Sequence, residues 1–487
     1  MYQVKIVSSL EKAFLDSDIR TFEPLTSIRM MKNQRLSFQL FFTLDAKDDP
    51  YRTMPALTVE GAFSACTTVR TVELEPVVYP APAEVLAVDA NYLRGEPGLY
   101  PDWLRPMHYG GAVSVLRGQL HAVWICLDPR DTVAAGVYPV TVSLKGGDEV
   151  LASATLTVEV LDADLPEQTM KVTQWFHCDC LANYYDRVGV RFFEISHLFT
   201  QWGAGHAPKV MATVDGEYRR IFGWETDATG EEYTRFLRTM LPAFLAHMKA
   251  RGDDTRCLFH ISDEPSGEQL EQYSRSKAVV ADLLEGYTIM DALSNYDFYE
   301  RGVVTTPIPS NDHIEPFIRG GVPGLWTYYC CGQCVDVSNR LLAMPSWRNR
   351  SIGMQFYKYD IAGFLQWGYN FYNNMQSVNT VDPYSDASGE YWVPAGDTFS
   401  VYPAQDGTAY ESLRLVVFHE ALEDVRAMKL CESFYGKERV VSEMEQVFGR
   451  PITFSTCAAS AAELLAVRAR VDELIAEAVG KGNAIIR

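Results

Sequence analysis

The sequence has no excess of basic residues: 43 Lys and Arg stand against 63 Asp and Glu, and the formal net charge is -20. A chain with this charge is repelled by nucleic-acid phosphates and by anionic membrane surfaces. It also contains no hydrophobic run long enough to span a bilayer. We therefore expect neither a nucleic acid nor a membrane as partner, and a neutral or cationic ligand fits the charge better.

Targeting and disulfide signals are also missing. Residues 1–6 lead into a mixed polar stretch without an apolar signal-peptide region or a small-residue cleavage site. The ten cysteines lack the spacing of a small disulfide-linked domain. We expect reduced cysteines and a cytoplasmic location, while a leader removed from the given chain would leave export open.

Two cysteine groups have spacings that zinc sites use. They are Cys178 with Cys180, and Cys330 with Cys331 and Cys334. Each group lies at the end of a hydrophobic strand, where cysteine also serves as a small apolar residue. We favour the apolar interpretation and expect no metal and no cofactor.

The composition fits a large globular protein. Its 487 residues are enough for two or three domains, and 47% hydrophobic with 22% charged residues is an ordinary balance. Aromatic residues make up 12%, including 26 Tyr and 9 Trp. Such rings suit the C–H faces of sugars, although most of them will pack in the core.

The pattern of hydrophobic residues changes along the chain. Residues 1–165 contain short alternating runs separated by turns, which predicts a β-sandwich domain. Residues 166–410 alternate strand-like and helix-like segments, which predicts a catalytic (β/α)8 barrel whose second and sixth strands are faint. Residues 411–487 predict helices packed on the barrel. The fold class is thus a multidomain α and β protein, and the sequence does not indicate an oligomeric state.

Two adjacent carboxylates, Asp263 and Glu264, follow the apolar run 257–261. Ser266 and Gln269 then have the spacing of a capping box, so the acids lie between a buried strand and a helix. In α/β folds this end of the sheet holds the active site. Two carboxylates with different surroundings can have different pKa values, as acid catalysis of glycoside cleavage requires. Acids before a helix can also serve only to stabilise the helix dipole, and these residues alone leave that alternative open.

Further motifs give a resemblance. Between residues 256 and 430 the chain carries, in this order, ISDEP (261–265), GLWTYYC (324–330), GFLQWGYN (363–370), GDTFSVYP (396–403), and SLRL (412–415) followed by EALED (420–424). Together these motifs resemble glycoside hydrolase family 123. The chain departs from the family pattern in Phe418-His419-Glu420, in the pair Cys330-Cys331 and in showing no export signal. These departures bear on the substrate more than on the fold.

The resemblance implies a retaining exo-β-N-acetylgalactosaminidase with substrate-assisted catalysis through an oxazolinium intermediate. Glu264 would be the general acid and then the base, and Asp263 would orient the 2-acetamido group of the substrate. The alternatives are a related glycosidase acting on a different sugar and a non-catalytic carbohydrate-binding protein.

Polar and aromatic residues at the predicted strand ends are candidate contacts to a glycan substrate. Pocket walls would come from the aromatic rings of Trp326, Tyr328 and Trp367. Sugar hydroxyls would be bound by Asn370, Asn295 and His177. A glycine-rich loop with Trp202 and His206 could rim the pocket. For each ring, packing in the barrel core is the competing interpretation.

Overall fold

A computed structural model describes residues 2–44, 49–107, 111–175 and 189–480. The chain forms two compact units. The first unit comprises Met1–Thr169, Cys334–Lys358 and Gly368–Arg487, and the second comprises Met170–Gln333 and Tyr359–Trp367. The division at residues 165 and 410 stays a prediction.

The first unit is rich in antiparallel strands. In chain order the strands are β1 Tyr2–Ser8, β2 Ser27–Met31, β3 Leu36–Leu44, β4 Arg52–Thr53, β5 Ala56–Gly61, β6 Thr67–Val77, β7 Gly98–Pro106, β8 Val115–Leu116, β9 His121–Leu127, β10 Gly136–Gly146 and β11 Glu149–Leu161. One sheet has the order β1-β3-β9-β6-β7 and another has β2-β11-β10-β5, while β4 pairs with β8. Side chains of both larger sheets share one hydrophobic core, for example Phe38 and Ile125 with Val142 and Val158. The alternating runs thus supply the inward faces of two sheets.

Helices complete the first unit. They are α1 Ala83–Val88, α6 Ser346–Arg350, α7 Ile352–Lys358, α8 Leu413–Tyr435, α9 Lys437–Phe448 and α10 Ala461–Gly480. Ser412 caps α8 by accepting a hydrogen bond from the N–H of Leu415. Residues 346–358 form two short helices, α6 and α7, instead of one continuous helix.

The second unit alternates strands and helices. Its strands are β12 Lys171–Gln174, β13 Phe193–Glu194, β14 Val210–Val214, β15 Glu217–Phe222, β16 Cys257–Phe259, β17 Thr288–Ala292, β18 Thr306–Ile308, β19 Trp326–Tyr328 and β20 Gly363–Gln366, and its helices are α2 Glu231–Arg251, α3 Leu270–Val280, α4 Asp297–Glu300 and α5 Glu315–Arg319. The apolar periodicity predicts α2, and its face with Tyr233, Leu237 and Leu241 is buried.

A further hairpin in the first unit joins β21 Val401–Pro403 and β22 Ala409–Glu411.

The parallel strands of the second unit are neighbours in chain order. Two sheets, β13-β16-β17-β18 and β12-β20-β19, meet at a parallel bridge between Ser310 and Tyr328. Within the described residues, seven strands pair in parallel and no ladder joins β12 to β13, so the sheets are not closed there. The fold is thus a mixed α and β arrangement, and a closed (β/α)8 barrel stays a prediction.

In the described parts of the chain, no helix is both long and apolar enough to cross a membrane. The antiparallel hairpin β14–β15 is an addition that the alternation of strands and helices did not predict.

Candidate active site

The loop after β16 carries the two adjacent acids. The N–H of Glu264 donates to the carbonyl of Ala292 over 2.8 Å, and the carbonyl of Asp263 accepts from the N–H of Trp202, also over 2.8 Å. Glu264 has a positive φ of 46°, which is uncommon for a residue other than glycine. The backbone of the pair is therefore held from both sides in a strained turn, a feature common at functional sites.

Asp263 points into a buried environment. Its side chain is 9% exposed, and the amide of Gln201 donates to Oδ2 over 3.1 Å. Burial raises the pKa of Asp263 to about 6, although the Gln201 hydrogen bond and the charge on His260 act in the other direction. Asp263 is consequently a carboxylate at neutral pH that gains a proton more easily than an exposed aspartate.

Glu264 lies on the other side of the loop. The residue is exposed, but its carboxyl group is partly desolvated and accepts a hydrogen bond from the hydroxyl of Tyr328. Burial and the neighbouring charge of Asp263 raise the pKa of Glu264, whereas the Tyr328 hydrogen bond lowers it. The two acids thus differ in exposure and in hydrogen-bond donor, the kind of asymmetry that separates an acid from a carboxylate.

A buried charged cluster lies behind the loop, formed by His260, Glu194 and Asp291. His260 Nε2 is 3.1 Å from Glu194 Oε2, and its Nδ1 is 3.5 Å from Asp291 Oδ1. Burial disfavours a charge on His260, but the hydrogen bonds and charges of the two carboxylates outweigh it and raise its pKa to about 10. His260 is therefore an imidazolium between two carboxylates at neutral pH.

Asp291 also fixes the backbone of the loop. Its Oδ1 accepts from the N–H groups of Ile261 and Ser262 at 2.9 and 3.3 Å, and its Oδ2 accepts from the hydroxyl of Tyr273. Trp175 donates its indole N–H to Glu194. These contacts pair both oxygens of Asp291 and Oε2 of Glu194, whereas the buried Oε1 of Glu194 has no hydrogen-bond partner among the described residues. They also connect β17 to the loop that carries the acid pair.

One group of donor atoms in the described ranges is compact enough for a metal ion. Donor atoms of His197, His260 and Asp291 lie within 4.8 Å of one another. Asp291 already accepts hydrogen bonds at both oxygens, and Nε2 of the His260 imidazolium is paired with Glu194. Burial and the charge of His260 lower the pKa of His197 to about 4, so a neutral His197 completes the cluster. The arrangement favours an ion-pair network over a metal site.

The structure describes one of the two cysteine groups, that of Cys330, Cys331 and Cys334. Cys178 and Cys180 lie outside the described residues, and so does the candidate ligand His177. The thiol of Cys330 donates to Gln333 Oε1 over 3.3 Å. Among the described residues, no cysteine belongs to a group of side chains close enough together to bind a metal ion.

The other predicted contacts occupy different places. Tyr328 reaches Glu264, whereas Trp326, two residues earlier on the same face of β19, packs in the core against Gly363. The side-chain oxygen of Asn295 accepts a hydrogen bond from the N–H of Asp297. The Asn295 side chain also lies beside Gly267, which is three residues after Glu264 in the chain. The contact of these side chains with a sugar stays a prediction.

Trp367 and Asn370 follow β20 and fall on opposite sides of the division between the units. Trp367 belongs to the second unit and is half-buried, while Asn370 belongs to the first unit and forms a bridge with Phe399. Their contact with a substrate also stays a prediction.

Three residues that support the acid pair were not predicted as site residues: Glu194, Gln201 and Asp291. Glu194 and Asp291 are charged residues inside short apolar strands, and a charge at such a position is a signal for a buried partner. Gln201 gave no such signal, because its contact with Asp263 spans 62 positions of the chain.

Comparison with known proteins gives a family match. A family model described as the catalytic domain of glycoside hydrolase 123 matches residues 174–431, more than half of the chain and the range that holds both acids. No curated protein matches the sequence.

Among solved structures, the fold is similar to that of a family 123 glycoside hydrolase from Clostridium perfringens, reported in a study of glycolipid glycan hydrolysis. The TM-score is 0.71 at 14% identity, over 99% of each chain. A β-glucuronidase from Ruminococcus gnavus gives a TM-score of 0.26 at 9% identity, over 79% of this chain and 65% of that one, which is too low to indicate a shared fold.

Proposed function

The chain belongs to glycoside hydrolase family 123 and is a glycosidase that acts on a glycan, and from this premise we propose that it releases terminal β-linked N-acetylgalactosamine with retention of configuration. The observation that carries the proposal is the adjacent acid pair, one member buried beside Gln201 and the other reaching Tyr328. Retaining enzymes with a protein nucleophile instead need two carboxyl groups that flank the sugar about 5 Å apart. Adjacent acids suit a mechanism in which the substrate supplies the nucleophile.

In the first proposed step, Glu264 protonates the glycosidic oxygen while the bond from that oxygen to the anomeric carbon breaks. The carbonyl oxygen of the 2-acetamido group attacks the anomeric carbon and forms a cyclic oxazolinium ion. Asp263 accepts a hydrogen bond from the acetamido N–H, and its negative charge offsets the positive charge that develops there. The raised pKa of Glu264 supports its role as the proton donor.

In the second step, the Glu264 carboxylate removes a proton from water as the water oxygen attacks the anomeric carbon. The oxazolinium ring opens, the acetamido group is restored and the sugar leaves with its original anomeric configuration. Two inversions at one carbon give net retention, and Glu264 regains the proton that it lost.

The first natural substrates to test come from the structural relative. That Clostridium protein is described by its hydrolysis of glycolipid glycans. We propose glycans of this class, with N-acetylgalactosamine at the non-reducing end, as substrates of this chain as well.

The test measures release of p-nitrophenol from p-nitrophenyl β-N-acetylgalactosaminide. We expect Glu264→Gln and Asp263→Asn each to lower kcat/KM by at least about 100-fold, because general acid catalysis and charge stabilisation contribute on this scale. Glu268→Gln is the matched control, since Glu268 is an exposed acid on the same segment. Azide should restore turnover to Glu264→Ala, since it needs no base to attack the oxazolinium.

Two further measurements separate this mechanism from others. A thiazoline analogue of the oxazolinium should inhibit strongly, and the matching 2-hydroxy glycoside should not be cleaved. Cleavage of the 2-hydroxy glycoside would show a protein nucleophile and contradict the substrate-assisted mechanism. Turnover of a different sugar only would keep the glycosidase and change the substrate.

A further inference from the structure

Two exposed tryptophans lie next to the acid pair in the second unit. Trp202 is 58% exposed and Trp224 is 50% exposed, and their ring centroids are 6.0 Å apart in an edge-to-face arrangement. Single exposed aromatic rings are common, but two exposed rings in contact form an apolar patch of the kind that marks a binding site. The edge-to-face geometry keeps ring surface accessible on both residues.

Trp202 is attached directly to the backbone of Asp263. Its N–H donates to the carbonyl of Asp263 over 2.8 Å, and the preceding residue, Gln201, donates from its side chain to Asp263 Oδ2. Trp202 has a φ of 58°, a strained conformation for a bulky residue. The fold thus places an exposed indole beside Asp263 at a cost in strain.

The turn that carries Trp202 is packed rigidly on the helix after the acids. Gly203 has a φ of 105°, and a Cβ there would lie 2.7 Å from Gln269, so only glycine fits. Ser276 Oγ donates to the carbonyl of Ala204 over 2.7 Å. The position of Trp202 is therefore fixed by α3 as well as by Asp263.

Trp224 lies in a second turn that is tied to the first. The N–H of Thr226 donates to the carbonyl of Gly223 over 2.8 Å and closes this turn. The N–H of Ala207 donates to Thr226 at 3.0 Å, and that of Ala228 donates to Gly205 at 3.2 Å. Both indoles thus stand on one hydrogen-bonded framework, and little ordering is needed on binding.

Charged residues flank Trp224 in the sequence. Arg220 Nη2 and Glu225 Oε1 form an ion pair of 2.9 Å, and the two side chains are 53% and 61% exposed. Exposed aromatic faces with polar groups at their edge match a sugar ring, which presents C–H groups on its faces and hydroxyls at its rim.

We propose that Trp202 and Trp224 form a platform that binds the sugar of the leaving group. The inference rests on the proposed exo-acting function, because an exo enzyme holds one terminal sugar on the glycone side. Any further sugar of the glycan then lies on the side of the leaving group. The half-exposed platform is open to such a sugar, whereas the terminal sugar needs the enclosed side near Asp263 and Glu264.

The experiment compares two substrates that differ in the leaving group. One is a disaccharide of N-acetylgalactosamine β-linked to galactose, and the other is β-N-acetylgalactosaminyl fluoride, which has no sugar to stack. We expect Trp202→Ala and Trp224→Ala each to lower kcat/KM for the disaccharide about tenfold, mainly through KM, and to leave the fluoride within about twofold. Tyr218→Ala in the neighbouring strand β15 is the matched control, since Tyr218 is 70% exposed and lies outside both turns.

The outcomes separate the platform from other roles. An unchanged disaccharide reaction in both variants would overturn the proposal. An equal loss on both substrates would also overturn it, because the tryptophans would then act on the terminal sugar or on Asp263. If the wild type cleaves neither substrate, the proposed function fails, and calorimetric binding of the disaccharide decides the platform. The affinity of the protein for the disaccharide must then be about tenfold lower in Trp224→Ala than in the wild type for the inference to stand.

Discussion

At the scale of single residues, Asp263 and Glu264 show how neighbours in sequence obtain different chemistry. Asp263 is enclosed and has one amide donor, while Glu264 is open to solvent and has one phenol donor. The pKa is raised for both residues, but only Asp263 loses nearly all contact with water. A buried carboxylate that must be ionised for catalysis lowers the stability of the fold.

Asp263→Asn should therefore stabilise the protein while abolishing activity. The pKa rises from 3.8 to about 6 on folding, so the native state retains its proton where the unfolded state has lost it, and stability falls as pH rises between these values. The whole penalty, at most about 3 kcal/mol, applies above pH 6. Urea unfolding at neutral pH should show a gain of about 1–3 kcal/mol, and near pH 4 the gain should largely vanish. A loss of stability at neutral pH would contradict the role of burial.

Gln201→Leu should move the acid limb of the pH profile. The hydrogen bond from Gln201 stabilises the Asp263 carboxylate, so its removal raises the pKa of Asp263 further above 6. Activity in the proposed mechanism needs ionised Asp263. As the pH is lowered, kcat/KM of the variant should therefore begin to fall at a higher pH than kcat/KM of the wild type. Glu268→Gln serves as control with an unchanged limb. An identical profile for Gln201→Leu would mean that Asp263 does not set this limb.

At the scale of elements, the end of β17 controls the loop after β16. Asp291 is fully buried, binds two N–H groups of that loop and faces the imidazolium of His260. The parallel pairing of β16 with β17 brings these groups together. The strand pair thus orients the acid pair through the carboxylate of Asp291.

Asp291→Asn should cost stability and activity together. The asparagine amide keeps the shape of the side chain and one acceptor oxygen but removes the negative charge. Buried His260 then has Glu194 as its charged partner, and the pKa of His260 is lowered. We expect a loss of roughly 3 kcal/mol in urea unfolding. A downward shift of the His260 titration, followed by NMR, would distinguish this cause from general misfolding. Glu285→Gln is an exposed control on the preceding segment.

Local patterns made some elements predictable and left others out. The capping box at Ser266 and Gln269 is confirmed, and the side chain of Gln269 accepts from the N–H of Ser266 over 2.8 Å. Helix α2 was also predictable, since its buried face repeats along the sequence. The hairpin strand β15 is mostly exposed and has no apolar alternation, so it gave no signal. The two tryptophans lie in turns that are joined by contacts distant in sequence, such as those of Ala207 with Thr226 and of Trp202 with Asp263, and these contacts gave no signal either.

At the scale of the molecule, the chain passes between the two units more than once. The first unit needs residues on both sides of the second, since Cys334–Lys358 and Gly368–Arg487 join Met1–Thr169. One hydrophobic cluster contains Leu10, Trp124 and Leu161 together with Met428 and Leu474. Hydrophobic patterns report which faces are buried but not which distant segment buries them, so this union was not visible in the sequence.

A buried ionic network strengthens the same union. Arg350 in α6 pairs with Glu420 and Asp424 of α8, and Arg468 of α10 pairs with Asp424 as well, at 2.6 Å. The amide oxygen of Gln34 accepts from Arg468 over 3.1 Å, which connects the N-terminal region to α10. Removing one member of a buried ionic group leaves the others without a partner, which costs about 3–5 kcal/mol.

The N-terminal region should consequently not be stable without the C-terminal helices. A fragment of residues 1–165 keeps the core shared by its two sheets but exposes the apolar side chains that α8 and α10 cover. We expect the fragment to bind a dye for exposed hydrophobic surface and to unfold at lower urea than the full chain. Adding a second fragment, residues 334–487, should lower the dye binding and raise the urea midpoint, because this fragment supplies α8 and α10. Cooperative unfolding of the isolated fragment at the midpoint of the full chain would instead show that the two sheets alone form an autonomous domain.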